Sequence, residues 1–247
     1  MGPQNVRVEE RPAFYALAAG GWRDYVTLLH PPYTLWHLSY VAIGAALAPT
    51  FELERLAVGL LAFLLALGIG AHALDELNGR PLRTQIPKRV LVALAVAPLG
   101  AAAAIGVAAA FAWTLWLLPL VALGTFLVPA YCLELFDGRV HGDLWFALGW
   151  GAFPVVTGYV GMAETVRLEA LLAASFAALL SVAQRLLSTQ VRTVRRRVVS
   201  LEGSISYSNG REEPVTVETL TRVPELVLRV LTATVTALAL ALVVARV

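Results

Sequence analysis

The chain has 247 residues, of which 58% fall in the set AVILMFWYC and only 15% are charged, against roughly half and about a quarter in an ordinary soluble domain. A mean hydropathy of +0.72 leaves too little polar surface to clothe a water-soluble core of this size, so the bilayer is the expected solvent. Disorder, collagen and a nucleic-acid module are excluded, and the single cysteine, Cys132, rules out an intrachain disulfide or a CxxC metal site.

In chain order, the first 32 residues carry Glu9, Glu10, Arg11 and Pro12 ahead of an amphipathic stretch at 14–29. They lack the apolar core of a signal peptide and read as a helix lying on the cytoplasmic face. Apolar stretches of membrane-crossing length follow at about 33–51, 56–74, 144–163, 168–185 and 226–247. Residues 90–132 contain no charge. As one helix these 43 residues would run about 65 Å, twice the hydrocarbon thickness. The tract must fold back, and a break near 106–110 gives spans at 90–106 and 110–132. The expected class is therefore an all-α integral membrane protein of about seven transmembrane helices with cytoplasmic cap loops.

Charge placement orients it. With the N-terminus cytoplasmic, Arg7, Arg11, Arg23, Arg80, Arg83, Lys88, Arg89, Arg139, Arg185, Arg192, Arg195, Arg196, Arg197, Arg211 and Arg222 fall on the cytoplasmic side, and only Arg55, Arg167 and Arg246 on the other. Cationic loops favour the cytoplasm, so seven spans and an N-in orientation support each other. The basic segment 191–225 also contains Asn209-Gly210 between two short alternating stretches, the signal for a small β-hairpin with a two-residue turn. Thr216 and Glu218-Thr219 then open the last helix.

Polar residues gather at two places on the cytoplasmic side. After the second span, His72, Asp75, Glu76 and Gly79 are spaced i, i+3, i+4 and i+7, one face of a helix. An acidic face at a helix end is costly in lipid and is tolerated in a bundle interior or a water-filled pocket. After the sixth span, Gln184, Arg185, Ser188, Thr189, Gln190, Arg192, Arg195, Arg196 and Arg197 form a strongly cationic run. Guanidinium groups bind phosphate oxygens bidentately. The bland alternatives are a satisfied core histidine in the first cluster, and in the second a topology signal that attracts anionic lipid.

The motif order resembles the UbiA superfamily of intramembrane prenyltransferases. In that family an Asp-rich motif ends the second helix, Arg-Pro-Leu often follows, and a second Asp-rich motif ends the sixth helix. Here 71–79 occupies the first position, Arg80-Pro81-Leu82 follows, and the Gly-rich stretch 141–154 is similar to the family's fifth helix. The likeness spans about 20–200. Only Asp75 stands on a family aspartate position, His72 and Gly79 replace others, and Gln184, Ser188, Thr189 and Gln190 occupy the second motif. The family usually has nine helices, two more than expected here.

The resemblance implies binding of an isoprenoid diphosphate and its transfer to a lipophilic acceptor. Asp75 and Glu76 are then the expected Mg²⁺ ligands and catalytic acids, with a single ion expected rather than two. His72, Asn78, Arg80, Arg83, Gln184, Ser188, Gln190, Arg192 and Arg195 are the expected substrate contacts. The alternative is a non-catalytic lipid-binding or assembly protein on the same scaffold. Either way the expected setting is a prokaryotic cell membrane, with membrane lipids as partners and no nucleic acid.

Overall fold

The computed structural model describes residues 11–247; Arg7, Glu9 and Glu10 lie outside the described residues. The chain is mostly helical: α1 (Trp22–Leu28), α2 (Pro31–Leu47), α3 (Leu53–Leu77), α4 (Lys88–Ala112), α5 (Leu117–Cys132), α6 (Asp143–Ala163), α7 (Leu168–Arg197) and α8 (Val217–Val244). A two-stranded antiparallel sheet, β1 (Ser204–Ser206) and β2 (Glu212–Pro214), joins α7 to α8.

Among the described residues, α3, α4, α6, α7 and α8 are long and apolar enough to cross a membrane. At 17 and 16 residues, α2 and α5 reach only about 25 Å each. The outer faces of α4, α7 and α8 leave Phe111, Leu179 and Val244 more than 70% exposed. Apolar patches of that extent have no place against water and suit lipid.

α2 is the central post. Trp36 and Tyr40 are fully buried on it, and it packs on α3, α6, α7 and α8. Its seam with α6 depends on backbone contact. A Cβ on Gly44 would stand 2.0 Å from the Val155 carbonyl oxygen, and one on Gly158 2.2 Å from that of Val41. Only glycine lets the two helices lie this close.

α3 and α6 each contain a π-helical turn, at Leu64–Ala71 and Ala147–Ala152. The wider turn shifts the angular phase of the residues beyond it, and such turns often sit at functional sites. One precedes His72 and the other carries Trp150.

Three local features differ from the sequence expectation. The α4–α5 break falls at 113–116, between two tryptophans, and not at 106–110. Gly106 sits against Val121 of α5, where a Cβ would meet a methyl at 2.5 Å, so it serves helix packing and not the turn. The amphipathic stretch 14–29 is helical only from Trp22 to Leu28; residues 11–20 form an irregular strap. The hairpin closes through a three-residue loop, with Tyr207 N–H donating to Arg211 O at 2.8 Å and Gly210 at φ 80°, because a turn followed by a left-handed glycine accommodates one extra residue. As the sequence predicts, α8 opens behind Thr216, which forms a capping box with Thr219, and α7 continues through Arg197.

Candidate functional site

A cavity of about 480 Å³ opens at the end of the bundle that carries the strap, the 78–87 loop and the C-terminal turns of α7. Arg55 and Arg246 lie at the opposite end, where Arg55 pairs with Glu52 and Glu164, and Arg246 donates to the Ala48 and Pro49 carbonyls.

The cavity floor is aromatic and imidazole-rich. The His30 and His72 rings stack with centroids 3.9 Å apart. His72 Nδ1 pairs with the Gly68 carbonyl at 3.1 Å, and His37 Nδ1 with the Trp150 carbonyl at 2.9 Å. His30 caps α2 in the left-handed region, at φ 46°, and its shielded Nε2 has no partner among the described residues. Burial holds the His30 imidazole well below its ordinary pKa, with His72 and the nearby arginines adding to the effect. It is therefore neutral. Tyr131 stacks on His141 at 4.4 Å and meets Trp150 at 4.2 Å with the rings tilted by 45°, and Phe146 lies nearly parallel to Trp150.

Cations supply the rim. The Arg185 side chain is clamped by Asp143, the Tyr131 hydroxyl and the His141 carbonyl, and lies 5.2 Å over Phe146. Arg196 Nε donates to Pro12 O of the strap at 3.1 Å, and Arg192 reaches only Thr189 of its own helix at 3.0 Å. Among the described residues, neither Arg192 nor Arg196 has a carboxylate partner. The Tyr15 ring packs edge-on to Tyr33 at 5.6 Å. Burial raises the Tyr15 phenol above its usual range, so it stays a protonated donor.

Six of the expected site residues line this cavity: His72, Asp75, Asn78, Gln184, Ser188 and Arg192. Asp75 lies beside the Cys132 side chain, and Asn78 donates to the Cys132 carbonyl at 3.1 Å. Gln184 is buried with its Oε1 unpartnered among the described residues, and the Ser188 hydroxyl turns back to the Arg185 carbonyl.

The other five do not line it. Glu76 is fully buried; its carboxylate accepts from Leu82 N at 2.9 Å and from Thr84 N and Oγ1, both at 2.8 Å. Arg80 donates to the Thr84 and Ile86 carbonyls from a left-handed backbone, and Arg83 is an exposed residue of the same turn. Gln190 is exposed near Leu220, and Arg195 makes a two-pronged ion pair with Glu225 of α8 at 2.5 and 3.1 Å. Glu76 and Arg80 hold the loop, and Gln190 and Arg195 hold α8.

That placement bears on metal binding. Two Mg²⁺ ions bridging a diphosphate need several hard carboxylate oxygens. With Glu76 committed to the loop, α3 offers the cavity Asp75 alone, and α7 offers it no acid. Among the described residues, no group of three or more His, Cys, Asp or Glu is placed to hold a metal ion. Of the two expected Mg²⁺ ligands, Asp75 faces the cavity and Glu76 faces the loop.

Sequence reasoning passed over Tyr15, His30, Tyr33 and His37. Histidine inside an apolar span was the available signal for His37, since an ionisable group there is a functional candidate by default. The strap residues gave none. Comparison with protein-family models, with curated proteins and with solved structures returns no match for this chain.

Proposed function

We propose that the protein is a UbiA-like intramembrane protein that binds an isoprenoid diphosphate and transfers its prenyl group to a lipophilic acceptor. The supporting observation is the shared cavity: the end of α3 and the end of α7, the two segments singled out by motif order, face one chamber with an aromatic floor and a cationic rim. The diphosphate fits the rim, where Arg185, Arg192 and Arg196 would stabilise the charge that develops as the allylic C–O bond breaks. The faces of Tyr131, Phe146 and Trp150 suit an allylic cation or an unsaturated tail. In this reading α2 and α5 complete seven spans, with the cavity end and the N-terminus on the cytoplasmic side of a prokaryotic cell membrane.

One observation favours a second reading, a non-catalytic lipid-binding or assembly protein. Glu76, expected beside Asp75 as a metal ligand, is instead a structural acceptor for the loop. Full-length protein in lipid nanodiscs, incubated in Mg²⁺ buffer with farnesyl diphosphate and a lipid extract, separates the two. Saturable binding with a prenylated product and released diphosphate supports transfer. Binding without product supports the second reading, and no saturable binding refutes both.

A further inference from the structure

The acids and the donors of the cavity are unequally committed. Asp75 lies beside the Cys132 side chain, and Glu134, at the edge, lies 4.0 Å from His141 Nε2. The donors facing them are unspent. Among the described residues, Arg192 and Arg196 lack a carboxylate partner, His30 Nε2 is shielded and unpartnered, and the Tyr15 and Tyr33 hydroxyls make no hydrogen bond. Of the neighbouring arginines, Arg185 is engaged by Asp143 and Arg195 by Glu225, and Arg197 lies at the exposed edge of the chamber.

Unpaired cations and buried donors without acceptors are costly to assemble unless an anion completes them. Arg192 and Arg196 stand four residues apart on α7, so both guanidinium groups leave the same helix face. The strap closes the ring from the other side: Pro12 O orients Arg196 through its Nε, which leaves the terminal nitrogens for a ligand, and Tyr15 stands against Tyr33 and His30, with ring centroids 5.6 and 5.2 Å away.

Resting on the reading that the cavity takes a prenyl diphosphate, we infer that its phosphate end is held without a metal ion, by Arg192 and Arg196 with the Tyr15, Tyr33 and His30 donors. The N-terminal strap is then part of the binding site and not merely a surface segment. Carboxylate-bridged ions neutralise a diphosphate from one side of such a pocket. Two fork-shaped cations and three neutral donors neutralise and fix it here, a donor set suited to phosphate oxygens.

The test is farnesyl diphosphate binding to the full chain in nanodiscs, titrated in EDTA and again in Mg²⁺, with inorganic diphosphate as competitor. Affinity in EDTA should match that in Mg²⁺ within about threefold, since tenfold corresponds to a whole charge-assisted contact. Arg196→Gln and Arg192→Gln should each weaken binding by about 10- to 100-fold in both buffers. Tyr15→Phe should weaken it by about 3- to 10-fold. Asp75→Asn should leave binding intact or tighten it, and inorganic diphosphate should compete.

Each variant's melting temperature shows whether it is folded, and Arg196→Lys, which keeps the charge, should restore part of the lost affinity. Binding that appears only with Mg²⁺ and disappears in Asp75→Asn overturns the inference while leaving prenyl diphosphate binding standing. Binding unaffected by either arginine substitution also overturns it. Absence of binding in both buffers overturns the functional reading beneath it.

Discussion

Replacing Glu76 by Gln separates a loop latch from a metal ligand. The carboxylate is fully buried and accepts three hydrogen bonds, two on Oε1 from Thr84 and one on Oε2 from Leu82 N. Glutamine preserves the shape but has a single acceptor oxygen. Turned to keep both Thr84 bonds, it sets its NH₂ group against the Leu82 N–H, and a buried donor left unsatisfied costs about 1–3 kcal/mol. The surviving pair loses the strengthening that an ionised acceptor gives. The sum is roughly 2–4 kcal/mol, or on the order of 5–15 °C of melting temperature for a chain of this size. Thermal unfolding in detergent, followed by tryptophan fluorescence, measures it. The drop should be equal in EDTA and in Mg²⁺. A variant that melts like the parent in EDTA and differs only when Mg²⁺ is added would refute the latch and restore Glu76 as a ligand.

Two more substitutions probe the strap end and the helix seam. His30 has a folded pKa depressed from its ordinary value of 6.5, so its contribution to stability is fully present above about pH 6.5 and erodes as pH falls below it, by up to about 1.4 kcal/mol per pH unit. Melting temperature should fall between pH 7.5 and 5 (about the range of the titration), and His30→Asn, which tolerates the left-handed backbone, should flatten that slope; an unchanged slope contradicts a buried neutral His30. Gly158→Ala should cost about 3 kcal/mol or more, because its Cβ would lie 2.2 Å from the Val41 carbonyl. A variant with parental melting temperature and a monodisperse elution profile would contradict the α2–α6 seam.

How much of the fold and site is legible in the sequence varies with the physics behind each feature. Long apolar runs announce helices directly, because burying about 20 residues in lipid dominates every local preference. The 14–29 stretch misleads for the opposite reason: Phe14 and Tyr15 take their places from contacts with Tyr33 and His30, farther along the chain, and helical spacing carries no trace of that. The first polar cluster reads as one acidic face. Asp75 and Glu76 are one residue apart, about 100° around a helix, and that rotation sends Asp75 into the cavity and Glu76 into the loop. The π-helical turn at Leu64–Ala71 further displaces the phase on which such face counting depends.

The arginine run shows the same geometry. Arg192 and Arg196 share a face toward the cavity, whereas Arg195, about 100° away from Arg196, pairs with Glu225. Residue type is readable at each of these positions. Which of two neighbours faces the chamber depends on α8 and on the 78–87 loop, whose positions only the folded bundle reveals.

Photolabelling reads out which residues surround a bound prenyl tail. A prenyl diphosphate carrying a photoreactive group in its tail, irradiated with the nanodisc-embedded protein and mapped by peptide mass spectrometry, should label the cavity floor around Tyr131, Phe146 and Trp150. Inorganic diphosphate should suppress the labelling, and Arg196→Gln should reduce it. Label confined to the lipid-facing surfaces of α4 or α8 and indifferent to diphosphate would contradict the account.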